Sequence, residues 1–155
     1  MKFTELYPLG QRLELGTVHF SAESITRYAE KFDPQPFHLS EEEARSSVFE
    51  GLCASGWQTS ATWMRCFLDY WVKEVKRLQA EGIAPPKLGP SPGFSNLKWL
   101  RPVYAGDDVI YYATLLASRP LASRPGLLLN TTLNEGINQH GQPVVSFESK
   151  VLEFE

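Results

Sequence analysis

The chain has 155 residues, of which 43% are hydrophobic, and its 18 acidic and 15 basic residues give a formal net charge of −3. This length and apolar content predict a single domain over residues 1–155, with a core that needs no metal or disulfide. The interspersed charges argue against a nucleic-acid partner. The sequence shows neither a signal-peptide pattern nor a run of about 18 apolar residues. We therefore expect a soluble cytoplasmic protein without a membrane partner.

The first part of the chain carries helical patterns. Residues 21–31 have apolar side chains at helical spacing after Ser21, which is a typical N-cap residue. Pro34 and Pro36 follow, and proline both restricts the residue before it and lacks an amide donor. We therefore predict that this helix ends near Phe32 and that residues 33–39 form a loop.

Two further helices are predicted. Ser40 begins a short one, with a capping-box pattern, that runs to about Val48. A long helix is predicted over residues 56–79, and its apolar side chains form two stripes. The first stripe consists of Trp57, Ala61, Met64, Leu68, Trp71, Val75 and Leu78, and the second of Trp63, Phe67 and Tyr70. The first half of this helix is apolar on most sides, so we expect the rest of the protein to cover it.

The second half of the chain carries strand patterns. Four segments are rich in β-branched, aromatic and leucine residues, namely 94–100, 108–117, 127–137 and 143–154. An earlier strand is expected at 13–20. Short connections predict antiparallel neighbours. An antiparallel, curved sheet of about five strands with one long central helix against its concave face is an α+β hot-dog fold.

A carboxylate and an imidazole lie five residues apart on the proline-rich loop, at Asp33 and His38. A bent loop can bring the two together, and such a pair can hold one water for the hydration of a conjugated double bond. The positive end of the helix at Ser40 disfavours a protonated imidazole whereas Asp33 favours it, and the sequence does not decide between them. Ordinary turn and packing roles for the two residues are the alternative interpretation.

The start of the long helix offers a second chemical element. If Ser55 is the N-cap, its hydroxyl accepts from the amide of Trp57 or Gln58 and leaves the Gly56 amide free to polarise a carbonyl. The alternative is that glycine here only permits tight packing. Phe37 and Trp57 flank the two elements and are candidates for the wall of a substrate pocket.

These motifs resemble those of the MaoC-like dehydratases and R-specific enoyl-CoA hydratases. Asp33, Pro36 and His38 match the family's Asp-x-Asn-Pro-x-His pattern. Residues 49–56 are similar to its Phe…Ala-His-Gly segment. Two later segments resemble its Pro-Val-x-x-Gly-Asp and Asn-Gln-x-Gly motifs, at 102–107 and 138–141. The likeness therefore covers most of the chain.

The resemblance implies a hot-dog fold that is usually dimeric, so we expect a homodimer or a higher homo-oligomer. It implies an acyl-CoA substrate, with Asp33 and His38 activating the water and the Gly56 amide polarising the thioester carbonyl. No metal is expected, and no cofactor other than the coenzyme A of the substrate. Three residues depart from the pattern: Gln35 replaces the usual Asn, Ser40 replaces a frequent Asp, and Ser55 replaces the His of the better-studied hydratases.

The predicted function is the reversible addition of water to an enoyl-CoA to give a 3-hydroxyacyl-CoA, a carbon–oxygen lyase reaction. Two alternatives stay open on the sequence alone. In a hot-dog acyl-CoA thioesterase, the same helix amide would polarise the carbonyl while water attacks the carbonyl carbon. A non-catalytic subunit that binds acyl thioesters is the other alternative, and Ser55 in place of His favours it slightly.

Overall fold

The computed structural model describes residues 1–155 and shows a curved antiparallel sheet packed against one long helix. The elements are α1 (Phe3–Leu6), β1 (Arg12–His19), α2 (Ala22–Phe32), α3 (Pro36–Leu39), α4 (Glu41–Arg45), α5 (Gly56–Ala80), β2 (Lys87–Leu88), β3 (Gly93–Trp99), β4 (Asp108–Pro120), β5 (Leu127–Asn138) and β6 (Pro143–Phe154). This arrangement confirms the predicted hot-dog fold.

The strands lie in the order β1-β4-β5-β6, and both β2 and β3 pair with the far side of β6. Every pairing is antiparallel. The five predicted strands are all present within a few residues of their expected bounds. The additional strand β2 is only two residues long, which is too short to leave a pattern in the sequence. Strand β3 has β6 as its one neighbour and forms a free edge of the sheet.

Helix α5 lies across the concave face of the sheet and buries one of its two apolar stripes. Trp63 is buried there, and its indole Nε1 donates to the carbonyl oxygen of Tyr112 over 2.9 Å. The other side of the helix carries large apolar side chains that are 46–52% exposed, and we call these residues the exposed stripe: Trp57, Met64, Leu68 and Val72. The expectation that the first half of α5 is covered on most sides is therefore wrong for a single chain, because the concave face of one sheet can cover only one side of the helix.

The segment between α2 and α4 differs in one respect from the prediction. Helix α2 begins after Ser21, whose side chain caps it as expected. Residues 33–39 were predicted to be a loop, but they contain the single-turn helix α3, which begins at Pro36. Proline suits the first position of a helix because its fixed φ is helical and the amide it lacks has no partner there. The chain therefore turns tightly, and this turn positions the candidate site.

The remaining helices are short. Helix α4 is capped by Ser40 but ends at Arg45 instead of near Val48. The Ser47 hydroxyl donates to the carbonyl oxygen of Ala44, and such local bonds compete with continuation of a helix. Helix α1 was not predicted. None of the helices combines the length and the apolar character needed to cross a lipid bilayer.

Candidate active site

The turn around α3 lies against the start of α5 and brings three polar side chains into contact. Asp33 Oδ2 lies 3.4 Å from Nε2 of His38. The hydroxyl of Ser55, which is 22 residues away in the chain, donates to the same Asp33 oxygen over 2.7 Å. The three residues and Gly56 line one cavity of about 570 Å³. The structure therefore brings together the four residues that the sequence indicated.

Local structure explains why the carboxylate and the imidazole face each other. Asp33 is the residue that ends α2, and its amide donates to the carbonyl oxygen of Ala29. The amide of Gln35 then donates to the Asp33 carbonyl oxygen over 2.8 Å, which closes a tight turn before α3. His38 lies on the single turn of α3 and is 6% exposed. Two short elements with a turn between them thus fix the spacing of the pair.

The orientation of His38 is set by a backbone acceptor. Nδ1 of His38 lies 2.6 Å from the carbonyl oxygen of Cys53. Because a carbonyl oxygen can only accept, Nδ1 carries the proton of this hydrogen bond. In the neutral ring, Nε2 then holds a lone pair and faces Asp33. The ring of Phe37 packs edge-on against His38 at a centroid distance of 4.6 Å and holds it in place. Nε2 is therefore arranged to accept a proton.

Asp33 is held in its ionised form. Burial alone would raise the pKa of its carboxyl group, but hydrogen bonds from Ser55 and Gln35, together with the positive charge of His38 when its ring is protonated, hold the pKa below its usual value. Nε2 of Gln35 donates to Oδ1 over 2.7 Å, so each carboxylate oxygen accepts one side-chain hydrogen bond. Gln35 departs from the family pattern, yet in this chain it supplies one of the two donors that fix Asp33.

The first turn of α5 is packed closely. Ser55 caps the helix by accepting from the amide of Trp57 over 3.3 Å. A Cβ atom built at Gly56 would lie 2.3 Å from the indole of Trp99, so glycine is required there for packing. The Trp99 indole also donates to the hydroxyl of Ser60 over 3.1 Å. This close contact agrees with the packing interpretation of Gly56, and the role of its amide toward a substrate carbonyl stays a prediction.

Aromatic side chains form much of the cavity wall. Phe37 and Trp57 both line it, and their contact with an acyl chain stays a prediction. Trp99 lies in the same wall, with its ring 5.0 Å from that of Trp57. No sequence pattern distinguishes Trp99, because it is one of several aromatic residues in the strand segments. No group of three or more His, Cys, Asp or Glu side chains lies close enough together to hold a metal ion.

The fold and the sequence of this chain are both similar to those of known proteins. The hot-dog fold is shared with a solved MaoC-like dehydratase from Rhodospirillum rubrum, which is 34% identical, with a TM-score of 0.81 over 100% of this chain and 98% of that one. The family model described as MaoC like domain matches residues 7–124. The chain therefore belongs to the MaoC-like dehydratase family, as the motifs predicted.

Two other proteins extend the comparison. YdeM of Bacillus subtilis is 28% identical over 152 residues, which are 98% of either chain. The R-hydratase PhaJ1 of Pseudomonas aeruginosa is 22% identical, with a TM-score of 0.65 over 95% of this chain and 82% of that one. The family supports a hydratase or dehydratase activity, which is that of a lyase, and the likeness to PhaJ1 shows the shared fold.

Proposed function

We propose that this protein interconverts an enoyl-CoA and a 3-hydroxyacyl-CoA by reversible addition of water. The observation that carries the proposal is the Asp33–His38 pair, 3.4 Å apart in a cavity at the start of α5. A water that donates its two hydrogens to Asp33 and to Nε2 of His38 has its lone pairs left to attack a carbon atom. The pair therefore acts as a general base toward water and afterwards as a general acid.

The hydration step follows from the positions of Asp33 and His38, which accept the hydrogens of the water. The water oxygen attacks the β-carbon of the enoyl thioester as Nε2 of His38 takes one proton. The imidazolium that forms is favoured by the ionised Asp33 beside it. The electron pair of the double bond moves toward the thioester carbonyl, and the α-carbon then receives a proton from the pair. Dehydration is the same path in reverse, so one arrangement serves both directions.

The enolate needs a hydrogen-bond donor, and we assign this role to the Gly56 amide. This amide is the first in α5 and has no acceptor within the chain. The helix of 25 residues adds its positive N-terminal end. Removing one such donor from an active site typically costs about 2.7–4 kcal/mol of transition-state stabilisation. The indole of Trp99 packs against Gly56 and forms one side of this position.

A single assay separates the proposed reaction from its alternatives. Crotonyl-CoA is incubated with the enzyme while the absorbance of the conjugated double bond and the appearance of free thiol are followed together. We expect the absorbance to fall without release of thiol. Release of thiol would instead identify a thioesterase. Calorimetric binding of the thioester with neither change would identify a non-catalytic binding subunit.

We also propose that the chain functions as a homodimer or a higher homo-oligomer. The exposed stripe of α5 is continuous with exposed apolar residues at the end of β3, since Trp57 and Trp99 pack against each other. Contiguous exposed apolar surface of this kind marks interfaces, and β3 also presents unpaired backbone groups at the sheet edge. A second copy placed on this face would cover both features and enclose the catalytic cavity.

A further inference from the structure

The catalytic cavity adjoins two more cavities along the exposed side of α5. The nearer one shares Trp57 with it, and the farther one shares Met64, Phe94 and Phe147 with the nearer. We call the farther one, of about 370 Å³, the inner cavity. Met64 lies eight residues beyond Gly56, which is about 12 Å along the helix. At about 1.2 Å per bond, an extended acyl chain on the order of ten carbons long spans this distance.

The inner cavity is mainly apolar but has one polar position in its floor. Thr132 on β5 and Ser149 on β6 are direct cross-strand neighbours, and both line the cavity. Their hydroxyl oxygens lie 2.9 Å apart. Of the other polar wall residues, Gln11, Ser91 and Lys150 are exposed at the rim, and the half-buried Tyr7 shares a hydrogen bond with the hydroxyl of Tyr70 over 3.1 Å. The Thr132–Ser149 pair is therefore the polar feature that the sheet presents to an occupant of the cavity.

This pair has hydrogen-bonding capacity that the chain does not use. The fully buried Asn134 donates its Nδ2 to Ser149 Oγ over 2.8 Å. Thr132 and Ser149 share a single hydrogen bond, so one of their two hydroxyl protons has no acceptor in the cluster. The pair can therefore donate one further hydrogen bond, and an oxygen atom of a molecule in the cavity would supply its acceptor.

We infer that the substrate of this enzyme is an acyl thioester whose chain carries a hydroxyl or oxo oxygen, bound by the Thr132–Ser149 pair in the inner cavity. The inference rests on the proposed function, because it takes the thioester to lie at Gly56 and the acyl chain to follow α5. A plain alkyl chain would leave the free hydroxyl proton without an acceptor in an apolar enclosure. A site built to bond an oxygen discriminates strongly against the analogue that lacks it.

The test compares substrates whose acyl chains have equal length and differ only in the hydroxyl or oxo oxygen. The substrates are a 2-enoyl-CoA of about ten carbons, as the span along α5 requires, and its ω-hydroxy and ω-oxo counterparts. For the unaltered enzyme we expect kcat/KM to be at least about tenfold higher for an oxygenated chain. Thr132→Val and Ser149→Ala should each bring this ratio close to one. Thr131→Val makes the same change on the opposite face of β5 and should keep the ratio.

Two outcomes would overturn the inference, and crotonyl-CoA tells them apart because its chain is too short to reach the inner cavity. Hydration of crotonyl-CoA together with equal kcat/KM values for the plain and oxygenated long chains would overturn the inference alone, and would show that solvent satisfies the free hydroxyl. Failure to hydrate any of the enoyl thioesters would overturn the proposed function and the inference with it.

Discussion

Replacement of Ser55 by alanine removes two hydrogen bonds that meet at one hydroxyl group. The Ser55 hydroxyl donates to Asp33 over 2.7 Å and accepts from the Trp57 amide over 3.3 Å. Loss of an N-cap costs about 0.5–2 kcal/mol, and a hydrogen bond to a charged group contributes about 1.5–3 kcal/mol. Because one hydroxyl makes both bonds, we expect a combined loss of roughly 2–4 kcal/mol. For a chain of this length, each kcal/mol lowers Tm by about 2–4 °C.

The same replacement has a signature in the pH dependence. The pKa of Asp33 lies below its usual value, so its interactions stabilise the folded protein above the unfolded pKa and are lost as the pH falls through the folded pKa. Without the Ser55 donor, the pKa of Asp33 rises. We therefore expect the acid limb of the kcat/KM profile for crotonyl-CoA to move to higher pH. The stability difference between the variant and the unaltered protein should shrink as the pH falls.

A matched variant separates the two effects of Ser55. Ser21→Ala removes the N-cap of α2, where Ser21 accepts from the Ser24 amide over 3.1 Å, and leaves the bonds to Asp33 in place. It should cost about 1 kcal/mol of stability and leave the acid limb where it is. If Ser55→Ala lowers Tm but keeps the acid limb of the unaltered enzyme, the reasoning about Asp33 is refuted, and Ser55 serves only as a helix cap.

Three further predictions concern packing, assembly and thiol reactivity. Gly56→Ala places a methyl group against the Trp99 indole and should lower Tm, and adding Trp99→Ala to this variant should recover part of the loss. A Gly56→Ala variant with the same Tm as the unaltered protein would contradict this packing. Leu68→Lys should shift the sedimentation coefficient from that of an oligomer to that of a monomer, whereas Lys73→Gln should not. Burial raises the pKa of the Cys53 thiol to about 11. A thiol-modifying disulfide reagent should therefore react with Cys53 only after the protein unfolds. Rapid labelling of Cys53 in the native protein would contradict its burial.

Most of the secondary structure could be predicted from the sequence, because each of the longer elements has its own period and its own boundary residues, whereas α1, α3 and β2 are too short to show one. Helix α5 was expected at 56–79 and lies at Gly56–Ala80, since Ser55 marks its start and the apolar spacing marks its length. The two stripes of α5 look equally apolar in the sequence. Which stripe contacts the sheet depends on how the chain folds, so the exposure of Met64 and Leu68 could not be predicted.

The candidate site was predictable in its residue types and less so in its contacts. The spacing of Asp33 and His38 on a proline-rich turn indicated a pair, and the resemblance to a family indicated the same two residues. The bond from His38 to the Cys53 carbonyl oxygen could not be predicted, because backbone acceptors have no signature in a sequence. The contact of Trp99 with Gly56 joins a strand end to a helix start, and no local pattern connects these two segments.

The proposal that the Asp33–His38 pair activates water is tested most directly by two variants measured on crotonyl-CoA. Asp33→Asn and His38→Gln should each lower the hydration rate by about 10²–10⁴-fold, and the double variant should lose little more, since the two act as a unit. The chain supplies a matched control in the exposed pair His19 and Asp108, 2.7 Å apart and outside the cavity. We expect His19→Gln and Asp108→Asn to retain the rate of the unaltered enzyme. Unchanged hydration by either Asp33→Asn or His38→Gln would contradict the proposed mechanism.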